Sequence, residues 1–144
     1  MAKTQAADLL AGDLTWQHNA YADGVIKVKA PKGIWRKTFK RLECDLGLNF
    51  KFTNNTRRAE ILCTWSDSFS DNYGYAQQIN DKQYWCSADP GHWYSNSVVV
   101  HEIGHALGLV HDHDADSIMS YDRDRRFARF YPIDLEAISL VFDL

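Results

Sequence analysis

The chain has 144 residues, of which 45% are hydrophobic, 13% aromatic and 24% charged, a globular profile with room for one domain and not two. Sixteen Lys and Arg against nineteen Asp and Glu leave a formal net charge of −3, which argues against a dedicated nucleic-acid binder. No apolar run approaches the roughly 18 residues of a membrane helix, so no membrane partner is expected either.

Met1 to Gly12 lack the apolar core of a signal peptide, although a secreted mature form is compatible with that and the compartment stays open. Leu14 to His18 alternate apolar and polar positions, as do Val25 to Lys29, and both suit short strands with an Asp23-Gly24 turn between them. After Pro31 and Gly33, Trp35, Phe39, Leu42 and Leu46 recur at helical spacing up to Gly47, which predicts a helix over 34–46. Leu48, Phe50 and Phe52 alternate again, and Ala59 to Trp65 read as a central strand. Short strands are expected near 73–79 and 83–87. A second helix follows from about Ser97 to Leu107, and a last one starts at Pro132. Cys44, Cys63 and Cys86 form no C-x-x-C pair. Three buried free thiols are expected, one disulfide with a free thiol being the alternative.

The chemistry concentrates in His101-Glu102-Ile103-Gly104-His105-Ala106-Leu107-Gly108-Leu109-Val110-His111. A helix puts His101 and His105, four apart, on one face, where two neutral imidazoles can reach a Zn²⁺ at about 2.0–2.1 Å. Glu102 is placed to touch a water on that metal without ligating it. Gly108 permits the positive φ that ends the helix, so the chain can return His111 as a third nitrogen. Three protein ligands leave a fourth position open, the pattern of a catalytic zinc.

This string resembles the H-E-x-x-H-x-x-G-x-x-H signature of the metzincin zinc peptidases, matrixins in particular. Ser117-Ile118-Met119-Ser120-Tyr121 looks like their Met-turn, which implies that Met119 floors the three histidines without ligating. Leu14-Thr-Trp, the helix 34–46, the strand 59–65 and the terminal Tyr131-Pro-Ile-Asp-Leu-Glu follow the matrixin order, with Asp134 where that family often has Asp. Two departures stand out. Asp112 follows the third His as in adamalysins, and Tyr121 stands two residues after Met119 as in astacins and serralysins, where the Tyr can ligate zinc. Tyr121 is therefore a candidate fifth ligand or oxyanion stabiliser, or a ring that merely shapes the pocket.

The resemblance implies an α+β, metzincin-like domain over 1–144: a small twisted mixed β-sheet, an N-terminal helix, an active-site helix and a C-terminal helix. Its upper part would span about 1–108 and its lower part about 109–144. The implied activity is zinc-dependent endopeptidase, with one catalytic Zn²⁺, Glu102 as general base and a monomer as the default. A peptide or protein substrate would bind extended along the edge near 73–79. The loop after Met119 would wall the pocket beyond the scissile bond. It reads Asp122-Arg-Asp-Arg-Arg-Phe-Ala-Arg-Phe130; solvated charges are expected there, a preference for an acidic or polar side chain being the alternative.

Other signals are weaker. Asp112, Asp114 and Asp116 alternate as in calcium sites, but Ser117 and Arg123 stand where an EF-hand needs Gly and Glu, which leaves only a Ca²⁺ site of another kind. His18, His92 and His113 are too dispersed for a second zinc, and Asn54-Asn55-Thr56 is a glycosylation triplet that requires a secreted eukaryotic setting. Alternatives to a general endopeptidase are a narrow-specificity processing or cell-wall peptidase, and a zinc-containing module that binds peptide without cutting it.

Overall fold

Apolar side chains one turn apart build the helix that carries the sheet. The computed structural model describes residues 3–67, 73–113 and 116–144. In chain order the elements are a 3₁₀ turn at Ala6–Leu9, α1 (Thr15–Ala20), β1 (Ile26–Lys29), α2 (Ile34–Leu46), β2 (Phe50–Phe52), β3 (Ile61–Trp65), β4 (Gly74–Gln78), β5 (Tyr84–Ala88), α3 (Ser95–Ala106) and α4 (Pro132–Phe142). Trp35, Phe39 and Leu42 line the inner face of α2, with Phe39 in edge contact with Phe50 and Phe52 at ring separations of 5.0 and 6.3 Å.

The result is an α+β domain with a five-stranded mixed sheet in the order β2-β1-β3-β5-β4. The first four strands are parallel, and β4 pairs antiparallel with β5, placing Gly74 opposite Ala88 and Gln78 opposite Tyr84. Helix α3 packs on β5 and β4, α2 on α3 and β2, and α4 against α1 and the 3₁₀ turn. Among the described residues β4 thus forms an edge of the sheet, as the matrixin-like layout implies for 73–79, and it packs beside α3.

Two expectations are corrected. Leu14–His18 do not form a strand. Residues 15–20 are helical, which turns Trp16, Gln17 and Ala20 inward together, and just before the helix the Asp13 carboxylate accepts the Thr15 N–H at 2.9 Å. Gln17 then donates to the Ala106 carbonyl at 3.0 Å, filling one of the acceptors left open at the end of α3. All three thiols are free, but only Cys63 and Cys86 are buried; Cys44 is exposed, two residues beyond Leu42 and off the buried face of α2.

The start of α4 is the main anchor of the C-terminal part. Asp134 is fully buried and accepts three hydrogen bonds, from Ser117 Oγ at 2.5 Å, Ile118 N–H at 2.9 Å and Tyr131 N–H at 2.8 Å. The last of these is a helix-cap contact, while the first two hold a loop 16–17 residues away in sequence. Desolvation still pushes this carboxyl above its ordinary value, against the pull of the three donors. Asp134→Ala strands those donors without an acceptor and should destabilise the fold by about 3 kcal/mol, roughly 10 °C in Tm. A calorimetric shift below about 2 °C would show that the loop has another anchor.

Candidate metal centre

Helix α3 begins with the β-branched run Val98-Val99-Val100, a poor local helix signal that burial overrides. The valines are buried against the sheet and α2, and Ser95 Oγ caps the entry by donating to the Asp89 carbonyl at 2.6 Å and accepting the His92 N–H at 3.1 Å. The far end stops at Gly108, whose φ of +97° is open to glycine, and a Cβ there would lie 2.7 Å from Leu14 Cδ2.

That stop brings His101, His105 and His111 together. Their ligand nitrogens all lie within 4.8 Å of one another, and Nε2 of His111 is 3.0 Å from Nε2 of both His101 and His105. The opposite nitrogens are tied off. Nδ1–H of His101 donates to the Ile118 carbonyl at 2.8 Å, and Nδ1–H of His105 donates to the Leu109 carbonyl at 2.9 Å. Those carbonyls select the tautomer in which Nε2 carries the lone pair, the usual arrangement behind a metal-binding His. Burial holds the imidazoles neutral as well: His101 is pushed well below its ordinary pKa, and His105 down to about 4. The donor set therefore suits a tetrahedral divalent ion with an open position.

Glu102 is 6% exposed, and its Oε2 has no hydrogen-bond partner among the described residues. Desolvation pushes its carboxyl up to about 8, opposed by the positive charge of Arg123. The edge strand reaches this carboxyl because residue 74 has no side chain: a Cβ there would lie 2.4 Å from Val98 Cγ1 and 2.9 Å from Glu102 Cγ. An open cleft of about 440 Å³ runs between β4, the triad and the loop that follows Met119.

Beneath the triad, Met119 is fully buried, and a Cβ on Gly104 would stand 2.6 Å from its sulfur. Gly104 thus lets α3 settle on Met119. Tyr121 is 48% exposed and its hydroxyl meets Nδ1 of His111, on the side of that ring away from the convergent Nε2 atoms. It contacts the third histidine and not the centre of the triad. Of the other histidines, His18 bonds the Val141 carbonyl, His92 pairs with Asp89 at 3.4 Å, and His113 stacks on Tyr121. For calcium, Asp114 lies outside the described residues; among those described, the His triad is the group able to hold a metal.

With this geometry in hand, comparison with known proteins is informative. The matrixin family matches residues 68–142, more than half of the chain. The chain belongs to the matrixin family. The matched stretch of this matrixin covers β4, β5, α3, the loop of Met119 and α4, that is, every element that lines the cleft. No curated protein matches it significantly. Among solved structures, it is similar to a chain of the GM1-bound form of the ECX AB5 holotoxin, with 13% identity, a TM-score of 0.63, and coverage of 86% of this chain and 82% of that one. At that identity the likeness is one of fold.

Sequence reasoning passes over Gly74, Gly104 and the individual place of Arg123 in this matrixin. Gly104 carries a signal, since a glycine inside an otherwise apolar helix pattern asks for a packing reason. Gly74 carries none, because its neighbours Val98 and Glu102 arrive only through strand–helix packing.

The burial of Glu102 has a consequence for the metal-free protein. Unfolded, the carboxyl titrates near 4.5, and folded at about 8, so the folded state favours the proton and wild-type stability falls as pH rises through that window. Metal-free Glu102→Gln should therefore outlast wild type in urea by a margin that grows by roughly 3 kcal/mol between pH 5 and 8. A margin independent of pH would place the carboxyl in solvent.

Proposed function

We propose that this matrixin is a zinc-dependent endopeptidase, with His101, His105 and His111 as metal ligands and Glu102 as general base. One observation carries the reading: three Nε2 atoms converge, two of their Nδ1 partners are locked on carbonyls, and an unpartnered buried carboxylate stands beside them. Family membership supports it independently. When bound, zinc supplies a Lewis acid and lowers the pKa of water in its coordination sphere toward neutrality.

The chain's own residues do the rest. Glu102 accepts the proton of the attacking water and returns it to the leaving nitrogen. The free edge of β4 pairs with an extended peptide backbone and presents the scissile bond to Glu102. Met119 and Gly104 hold α3 rigid beneath the ligands. Tyr121 takes Nδ1–H of His111 once Nε2 turns to the metal, steadying the one ligand that sits on a loop. Its hydroxyl is then a support for the third ligand in place of a fifth ligand.

Zinc-loaded protein should cut a mixed peptide library, and a chelated sample should not. Glu102→Ala should keep stoichiometric zinc by atomic absorption yet lose at least about 10³-fold in kcat/KM, since the base acts only in the chemical step. Unchanged turnover in that variant would remove Glu102 from the mechanism. His111→Ala should release zinc under mild chelation that leaves wild type loaded, by about 100-fold or more in apparent Kd. Equal retention would mean that two histidines suffice.

A further inference from the structure

We propose that Arg123 turns the end of the cleft beside Glu102 into a carboxylate-binding subsite, so that this peptidase selects peptides with an acidic side chain, or their own C-terminal carboxylate, next to the scissile bond. The inference rests on the peptidase reading above and adds a substrate class to it.

The loop charges are not all solvated, contrary to expectation. Arg126 is: it is exposed and forks onto Asp124, at 2.8 Å for its Nη2. Arg123 turns inward instead. Its Nε donates to Ser97 Oγ at 3.0 Å and its Nη1 to the Ser120 carbonyl at 3.2 Å, both neutral acceptors. Ser97 lies one turn of α3 before His101, about 6 Å along the axis, so the guanidinium is anchored within about two extended peptide residues of the histidine face. Nη2 makes no hydrogen bond, and no carboxylate pairs with Arg123, among the described residues.

The cleft has an imbalance of charge. Two of its lining residues, Arg123 and Arg125, are cationic, whereas Glu102 is its one acidic lining residue among those described. No ion pair joins Glu102 to Arg123 among the described residues, and Oε2 of Glu102 is unpartnered. Arg125 is held over the Tyr94 ring at 5.1 Å, which keeps a second positive charge at the same end. Partial burial, with the like charge of Arg125 adding to it, pushes the Arg123 guanidinium down to about 10, although the Glu102 charge pulls the other way. It is a cation that has lost water and makes no direct ion pair among the described residues. A planar guanidinium braced at Nε and Nη1 with its remaining edge free is preorganised for a carboxylate. In a chain of net charge −3, this locally positive cleft is a departure from the surface average, and it lies where a substrate side chain would enter.

The test uses zinc-loaded protein and four matched peptides that differ at one position: Glu, Gln, a C-terminal carboxylate and a C-terminal amide. Wild type should cut the Glu peptide, the C-terminal carboxylate peptide, or both, at least about tenfold better in kcat/KM than the neutral counterpart. Which pair shows the preference identifies the source of the carboxylate. Arg123→Gln should bring that ratio close to 1, Arg123→Lys should recover part of it, and Arg126→Gln should leave it as in wild type. If Arg123 only tunes Glu102 electrostatically or braces the loop, Arg123→Gln will slow all four peptides alike and shift their pH profile together; that result overturns the inference. Cleavage by wild type with no acidic preference also overturns it and leaves the peptidase reading intact. Absence of any cleavage counts against the peptidase reading instead. The subsite is then judged by fluorescence anisotropy on zinc-loaded Glu102→Ala, which should bind a carboxylate-bearing peptide at least about tenfold tighter than its neutral match. Equal binding there overturns the subsite. Should Arg123→Gln fold poorly, Arg125→Gln serves in its place and should reduce the ratio by about threefold.

Discussion

The buried carboxylate of Asp134 connects the C-terminal helix to the metal face, and the site depends on that connection. Asp134 accepts the N–H of Ile118, and the carbonyl of the same peptide segment accepts Nδ1–H of His101. The position of α4 is thereby transmitted through one residue of backbone to the tautomer and tilt of an imidazole. Ser117, bonded to the same carboxylate, also receives the N–H of Met119, so Met119 and the candidate ligand His101 are both positioned through one acceptor. A buried charge is costly unless its hydrogen-bonding capacity is filled, and here three donors fill it.

Burial acts on the two halves of the site in opposite senses, and both suit a metal. It drives the imidazoles toward their neutral, ligating form and drives Glu102 toward its protonated form. A divalent cation held by the three histidines would favour the Glu102 carboxylate, the form that the proposed general base needs. The helix that carries these groups is almost wholly buried, so they are held in place by packing on every side. His111 is the exception: it is exposed and sits after the Gly108 turn, and the Tyr121 hydroxyl is its added support.

The cleft is shaped by close approach. Glycine at 74 lets an edge strand come against Val98 and Glu102, and glycine at 104 lets α3 rest on Met119. A strand at the edge of the sheet leaves half of its backbone groups free, which is the surface an extended peptide can complete. The loop beyond Met119 closes one end of this cleft with guanidinium groups, one braced on Ser97 and one stacked on Tyr94. A backbone edge would select little among peptides, so it is at the charged end that we propose the selection.

Periodicity and spacing were enough for most of the framework. The 3.6-residue pattern of Trp35, Phe39 and Leu42 marks α2 to the residue, and His101, His105, Gly108 and His111 carry their convergence in their spacing, because a helix and a glycine stop leave few other geometries. The short segment at 14–18 misled, since five residues cannot separate a period of 2 from one of 3.6, and burial of Trp16, Gln17 and Ala20 together favoured the helix. Which carbonyl holds which imidazole, that Oε2 of Glu102 has no partner, and which arginine of a run turns inward are contacts between residues far apart in the chain. Local pattern is blind to them: the same Arg-rich loop sends Arg126 to solvent and Arg123 to Ser97, and only the packing of that loop on α3 tells the two apart.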